Sequence, residues 1–180
     1  FNLGGGGAAS PPNMAEAIYT KMPDAFPGVG YGLTESNAVG AFCTGEAYRY
    51  NPKAGGIPSP IIEVEIRDDD GHVLPQGERG HIWLSGISII QSYWENTDAT
   101  ADTLIDGWLS TGDIGYLDNE GFIYIVDRAK DMIIRGGENV YPREIEEFLY
   151  RHPKIQDVQV FGVPDEKYGE EICAWVVLKN

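Results

Sequence analysis

The chain has 180 residues, and its 13 Lys and Arg against 28 Asp and Glu give a net charge of −15, which argues against non-specific binding to a nucleic-acid backbone. Hydrophobic residues make up 42%, enough to build a packed core and too many for a disordered chain. The longest strongly apolar run, Ile172–Leu178, is far short of the roughly 20 residues a membrane helix needs, so no transmembrane segment is expected. Cys43 and Cys173 are far apart and form no CxxC, which argues against a disulfide scaffold or zinc site and favours a reducing, cytoplasmic location. The three histidines stand apart and offer no metal cluster. Phe1 is not an initiator Met, and Asn180 directly follows a strand-like run, so the chain reads as a fragment.

In chain order, the glycine run Gly4–Gly7 leads into Ser10-Pro11-Pro12, an N-cap followed by a proline suited to a first helical turn. A short helix is expected from there to Lys21, stopped by Pro23, and then a loop over Pro27–Gly32. From Ile57 the period changes. Ile62, Val64 and Ile66 alternate with Glu63, Glu65 and Arg67, predicting a strand with one buried and one wet face. Asp69-Asp70-Gly71 signals a hairpin, and His81–Ile87 a further strand. Thr97 is a cap candidate for a helix over Asp98–Leu104, and Asp118-Asn119-Glu120-Gly121 a turn between strands at Gly115–Leu117 and Phe122–Val126. This region predicts mostly antiparallel sheet, as in a small distorted barrel. Near Asp127 a second unit is expected: a strand at Met132–Arg135, a tight Gly136-Gly137 turn, and a helix over Tyr141–His152 burying Ile145, Phe148 and Leu149. Strands at Val158–Val163 and Ile172–Leu178 complete it, around a Pro164–Glu171 loop.

Four stretches carry candidate chemistry. The glycine run ahead of a helix lets backbone approach a ligand closely, although no GxxxxGK[ST] phosphate loop exists. Gly30-Tyr31-Gly32-Leu33-Thr34-Glu35 sets an aromatic between glycines, then a hydroxyl for a phosphate oxygen and a carboxylate suited to Mg²⁺. Ser110-Thr111-Gly112-Asp113, read as a loop between two strands, offers a carboxylate to paired hydroxyls such as those of a ribose. Asp127-Arg128-Ala129-Lys130-Asp131 and Ile133–Pro142, with Glu144-Ile145-Glu146, form the fourth. Taken singly, each is equally an ordinary turn, surface loop or solvated linker.

Taken in order, these motifs resemble the adenylate-forming superfamily, which includes acyl- and aryl-CoA synthetases, and the Gly-Gly-Glu-Asn-Val-Tyr-Pro stretch most resembles acyl-CoA synthetases of the fatty-acid type. The resemblance implies a mixed α+β fold. Residues 1–126 would be the C-terminal part of a large AMP-binding domain, with an α/β portion over 1–54 and a β-rich, barrel-like subdomain over 55–126. Residues 127–180 would be the hinge and part of the small C-terminal domain. It implies a parent enzyme that activates a carboxylic acid, of the fatty type, with ATP and Mg²⁺ and transfers it to CoA. Gly5, Gly6 and Gly7 would lie between adenine and the acyl pocket; Tyr31 would stack on adenine, with Gly30 and Gly32 allowing the approach. Thr34 would bond phosphate, Glu35 would bind Mg²⁺, and Asp113 and Arg128 would serve the ribose. Lys130 falls at the family's hinge position, and Gly136, Gly137 and Glu138 would lie beside the CoA channel. The family's upstream phosphate loop and its late catalytic lysine have no counterpart here, so missing N- and C-terminal parts are implied and the segment alone is expected to be inactive. A non-catalytic adenylate-binding module, and an adenylation domain serving a carrier protein, are the alternative readings.

Overall fold

The computed structural model describes residues 2–6 and 14–179. The expected cap at Ser10, the prolines after it and Gly7 lie outside the described residues. The fold is mixed α+β, with mostly antiparallel sheets, and divides into two compact units: residues 1–111 with 115–125, and residues 112–114 with 126–180.

In the first unit, β1 (Asn2–Gly6), α1 (Met14–Lys21) and β2 (Phe26–Tyr31) form a strand–helix–strand arrangement with β1 and β2 parallel. The sheet continues antiparallel through β3 (Ala41–Thr44), which leads into α2 (Gly45–Tyr50), and then β4 (Ile57–Pro58). Pro27–Gly32, expected as loop, is thus largely strand. Glycine's weak strand preference is overridden because β2 is paired on both edges, and because a side chain at Gly28 would clash with β3. A Cβ on Gly6 would stand 2.9 Å from the Gly30 carbonyl oxygen, and one on Gly28 2.7 Å from the Thr44 side chain.

The second sheet of this unit runs β5 (Ile62–Arg67), β6 (Gly80–Gly86), β8 (Trp108–Leu117), β7 (Leu104–Ile105), with β9 (Ile123–Arg128) also on β8 and helix α3 (Thr97–Thr103) ahead of β7. It is the curled, half-barrel sheet of the β-rich region. The alternation in β5 is as expected: Ile62 and Ile66 are buried with Ile82, Leu84, Leu109 and Ile123. Its other face is not simply wet, since the Arg67 guanidinium lies 4.7 Å from the Trp83 ring and 4.8 Å from that of Trp108, and donates to Glu65. Helix α3 is capped one residue earlier than expected, by the Asn96 side chain accepting from Ala99 N. Strand β8 is longer than expected and takes in Ser110–Asp113.

The second unit is a four-stranded antiparallel sheet ordered β11 (Glu138–Val140), β10 (Ile133–Arg135), β13 (Gly169–Leu178), β12 (Ile155–Asp165), with helix α4 (Pro142–Leu149) packed on β12. Gly136-Gly137 is the two-residue turn of the β10–β11 hairpin. The expected Pro164–Glu171 loop shrinks to three residues, because β12 and β13 stay paired as far as Asp165 and Gly169. Ile133, Ile155, Val158 and Val160 form the core, with Ile145 and Leu149 against it. Phe148 is not part of it and is 69% exposed. The helix turns about 100° per residue, so once Ile145 and Leu149 face the sheet, Phe148 points well to one side.

Ile133→Ala is therefore expected to cost about 2–5 kcal/mol, and Phe148→Ala within about 0.5 kcal/mol, read from amide hydrogen exchange in β12. Equal losses would return Phe148 to the core.

Candidate functional site

Gly5, Gly6, Gly30, Tyr31, Gly32, Thr34 and Glu35, the residues expected around adenine and phosphate, all lie in the first unit. Residues of the Gly4–Gly6 run pair in parallel with Gly28–Gly30. Tyr31 ends β2, half-buried against the unit's core. The chain then folds into a closed loop. Thr34–Ser36 is a single 3₁₀ turn, and the fully buried Ser36 hydroxyl both accepts from Leu33 N and donates to Leu33 O. Asn37 and Ala38 follow in the left-handed region, at φ 53° and 61°, which for Ala38 costs about 1–2 kcal/mol. Ala38 N donates back to Leu33 O at 2.8 Å.

The turn leaves Thr34 exposed and Glu35 half-buried. Tyr93 OH donates to Glu35 Oε1 at 2.7 Å, and Ile90 N donates to Glu35 O at 2.8 Å. Among the described residues the second carboxylate oxygen of Glu35 has no protein partner. A carboxylate held by one oxygen, with the other available, is a donor suited to a hard cation such as Mg²⁺.

Asp113 lies in the second unit with Arg128. It does not sit in a loop, as the motif suggested, but within β8, directly after Gly112, whose φ of +74° marks an irregularity inside the strand. Its residue is 5% exposed, and Arg128 Nε stands 3.3 Å from Asp113 Oδ1. The neighbouring Asp127 accepts from its own chain at Arg128 N and, through Oδ2, from Arg143 N at 3.0 Å. Tyr141, the N-cap residue of α4, makes no side-chain cap bond, so Asp127 supplies the carboxylate at that helix start. Lys130 is exposed in a 3₁₀ turn over Ala129–Asp131.

The Gly136-Gly137-Glu138 hairpin is fixed from outside. Gly136 N donates to Tyr168 O at 2.9 Å, the Arg135 guanidinium sits 4.0 Å from the Tyr168 ring centre, and Ile134 N donates to Glu170. Arg135 forks onto Glu171 through Nε and Nη2 at 2.7 and 2.8 Å. Those hydrogen bonds, with one from Ile172 N, pull the Glu171 carboxyl down from its ordinary 4.5 to about 2. Of the Glu144-Ile145-Glu146 motif, Ile145 joins the core and Glu146 accepts from Val160 N at 2.8 Å, a role in packing the helix.

The structure thus brings Gly5 and Gly6 beside Val29 and Gly30, sets Tyr31, Gly32, Thr34 and Glu35 on one continuous strand and loop, and pairs Asp113 with Arg128. The bonds of Tyr93 to Glu35 and of Asp127 to the start of α4 were not legible in the sequence. Tyr93 is 58 residues from Glu35 in sequence, and no local pattern announces that pair. His72, which looked isolated, lies with Asp68 and Asp70 so that one ligand atom of each falls within 4.8 Å of the others, in an exposed turn whose Asp68 also accepts from the Asp70 and His72 amides. Among the described residues, no helix is long and apolar enough to cross a membrane.

The Arg135–Glu171 pair has a checkable pH signature. Because the folded carboxyl is depressed, its ionised form favours the fold above the ordinary carboxylate value, and this contribution is lost as pH falls from about 4.5 toward about 2. A ¹³C titration is expected to place Glu171 near pH 2, and Arg135→Ala to return it to the ordinary range; an unmoved titration would show that the fork does not govern it.

The AMP-binding enzyme family profile matches residues 2–94, and that of the AMP-binding enzyme C-terminal domain matches residues 144–180. A long-chain-fatty-acid–CoA ligase of Yersinia pestis is 46% identical over 150 residues, which is 82% of this chain and 26% of the relative. A 2-succinylbenzoate–CoA ligase of Bacillus cytotoxicus is 40% identical over 176 residues, 97% of this chain and 35% of the relative. The structure of o-succinylbenzoate CoA synthetase from Bacillus subtilis, solved with its acyl-adenylate intermediate, superposes with a TM-score of 0.91 at 35% identity, covering 99% of this chain and 36% of that one. The same enzyme has been solved with ATP and a magnesium ion. The chain therefore spans about a quarter to a third of the length of these curated relatives. With the first profile alone covering more than half of the sequence, this chain belongs to the AMP-binding enzyme family.

Proposed function

We propose that this segment is the middle and part of the C-terminal region of an AMP-forming acid–thiol ligase, which joins a carboxylic acid to CoA at the expense of ATP. The observation that carries the reading is the closed Leu33–Ala38 loop. It sets an exposed hydroxyl, Thr34, next to a carboxylate, Glu35, whose backbone and side chain are both tethered.

In this reading the acid's carboxylate oxygen attacks the α-phosphorus of ATP, the bond to pyrophosphate breaks, and the acyl-adenylate forms. The CoA thiol then attacks the acyl carbonyl, loses its proton, and displaces AMP. Tyr31 offers its ring to adenine, with Gly5, Gly6, Gly7, Gly30 and Gly32 keeping side chains out of the way. Thr34 donates its hydroxyl to a phosphate oxygen, and Asp113 accepts from the ribose hydroxyls while Arg128 holds its carboxylate. Mg²⁺, held by Glu35, would neutralise charge on the phosphate oxygens. Lys130, exposed in its short turn, is the hinge between the half-reactions. Gly136 and Gly137, ahead of Glu138, leave room for the pantetheine arm. The 180-residue segment by itself is expected to be inactive.

The higher identity to long-chain-fatty-acid–CoA ligases favours a fatty acid. The fuller coverage by 2-succinylbenzoate–CoA ligases keeps an aromatic keto acid as the second reading. CoA ligation by the full-length protein over a panel of both acid types separates them: a preference for long-chain fatty acids is expected, and turnover of 2-succinylbenzoate alone would reverse the choice. Asp113→Asn in that protein is expected to lower kcat/KM for ATP roughly 10- to 100-fold, the loss of a hydrogen bond to a charged group, with its hydrogen-exchange pattern kept. Unchanged ATP use would remove Asp113 from the site.

A further inference from the structure

Three hydrogen bonds tie the Leu33–Ala38 loop to the segment between β6 and α3. Ile90 N donates to Glu35 O at 2.8 Å, Asn37 Nδ2 to Ser88 O at 2.8 Å, and Tyr93 OH to Glu35 Oε1 at 2.7 Å. The first two end on backbone carbonyl oxygens. Only the third reaches the carboxylate.

Tyr93 is itself anchored. Its backbone N donates to Thr100 Oγ1 at 3.0 Å, and the Thr100 hydroxyl donates to Asn96 O at 2.7 Å, beside the Asn96 side chain that caps α3. A continuous set of bonds thus runs from the start of α3 through Tyr93 to Glu35. A phenol is protonated at neutral pH, so the Tyr93 hydroxyl acts as the donor to Glu35 Oε1. A neutral donor fixes the carboxylate without cancelling its charge, as a Lys or Arg in the same place would.

We propose that Tyr93 is the positioning residue for Glu35, holding Oε1 so that Oε2 is presented to the divalent cation that accompanies ATP. The proposal rests on the reading of Glu35 as the Mg²⁺ ligand. Tyr93 touches neither metal nor nucleotide; it removes the torsional freedom that a half-exposed glutamate would otherwise lose on binding.

The test is Mn²⁺ binding to the full-length ligase with a non-cleavable ATP analogue, followed by electron paramagnetic resonance of free Mn²⁺, for wild type, Tyr93→Phe, Glu35→Gln and the double variant. Phe keeps the ring and removes only the hydroxyl. Tyr93→Phe is expected to weaken Mn²⁺ binding about 10-fold, the usual scale for losing a ligand's supporting hydrogen bond, to leave metal-free analogue binding unchanged, and to add nothing in the Glu35→Gln background. Weakened binding in Glu35→Gln with wild-type binding in Tyr93→Phe would overturn the positioning role and leave the metal reading standing. The same Tyr93→Phe loss in both backgrounds, with a lowered melting temperature, would make Tyr93 a general clamp and also overturn it. Wild-type binding in Glu35→Gln would remove the metal reading and the proposal with it.

Discussion

The loop that carries Thr34 and Glu35 closes because backbone meets backbone where no side chain fits. A Cβ on Gly32 would stand 2.5 Å from the Ala38 carbonyl oxygen. That approach lets Ala38 N reach Leu33 O and leaves Ser36 fully buried inside the turn. The same constraint acts one strand earlier, where Gly6 faces the Gly30 carbonyl. Close backbone packing before and after Tyr31 fixes where that ring, the hydroxyl of Thr34 and the carboxylate of Glu35 emerge. The glycines are therefore structural in the first instance. Their functional value follows from what they hold in place.

Charge decides how such a site meets a polyphosphate. The chain carries −15, and an acidic surface repels a nucleoside triphosphate at range. Of the two cations in the proposed site, Arg128 is already paired with the buried Asp113, and Lys130 lies exposed in the Ala129–Asp131 turn. In the proposed reading the divalent cation at Glu35 is the counter-charge that makes ATP acceptable, and the tethering of that carboxylate matters for this reason.

The parts of the fold set by local pattern were legible. The Ile62–Ile66 alternation, the Gly136-Gly137 turn and the helix ahead of β12 follow from period and turn chemistry. The family was legible through the order of its motifs along the chain. What failed depended on partners distant in sequence. Pro27–Tyr31 is strand because β1 and β3 flank it, which composition does not reveal. Asp113 reads as a loop residue after Gly112, yet that glycine bends a strand that continues through it. Phe148 fits an apolar stripe by spacing, but the sheet selects Ile145 and Leu149. Tyr93 on Glu35 and Asp127 at the start of α4 are long-range polar contacts, and no periodicity encodes them.

The central claim is that the Leu33–Ala38 loop holds the metal that accompanies ATP. The most direct measurement is anomalous diffraction at the manganese edge from crystals of the full-length protein grown with Mn²⁺ and a non-cleavable ATP analogue. The account predicts a peak within oxygen-coordination distance, about 2.0–2.3 Å, of the Glu35 carboxylate. A nucleotide-associated peak coordinated elsewhere, with Glu35 turned away from it, would contradict the account.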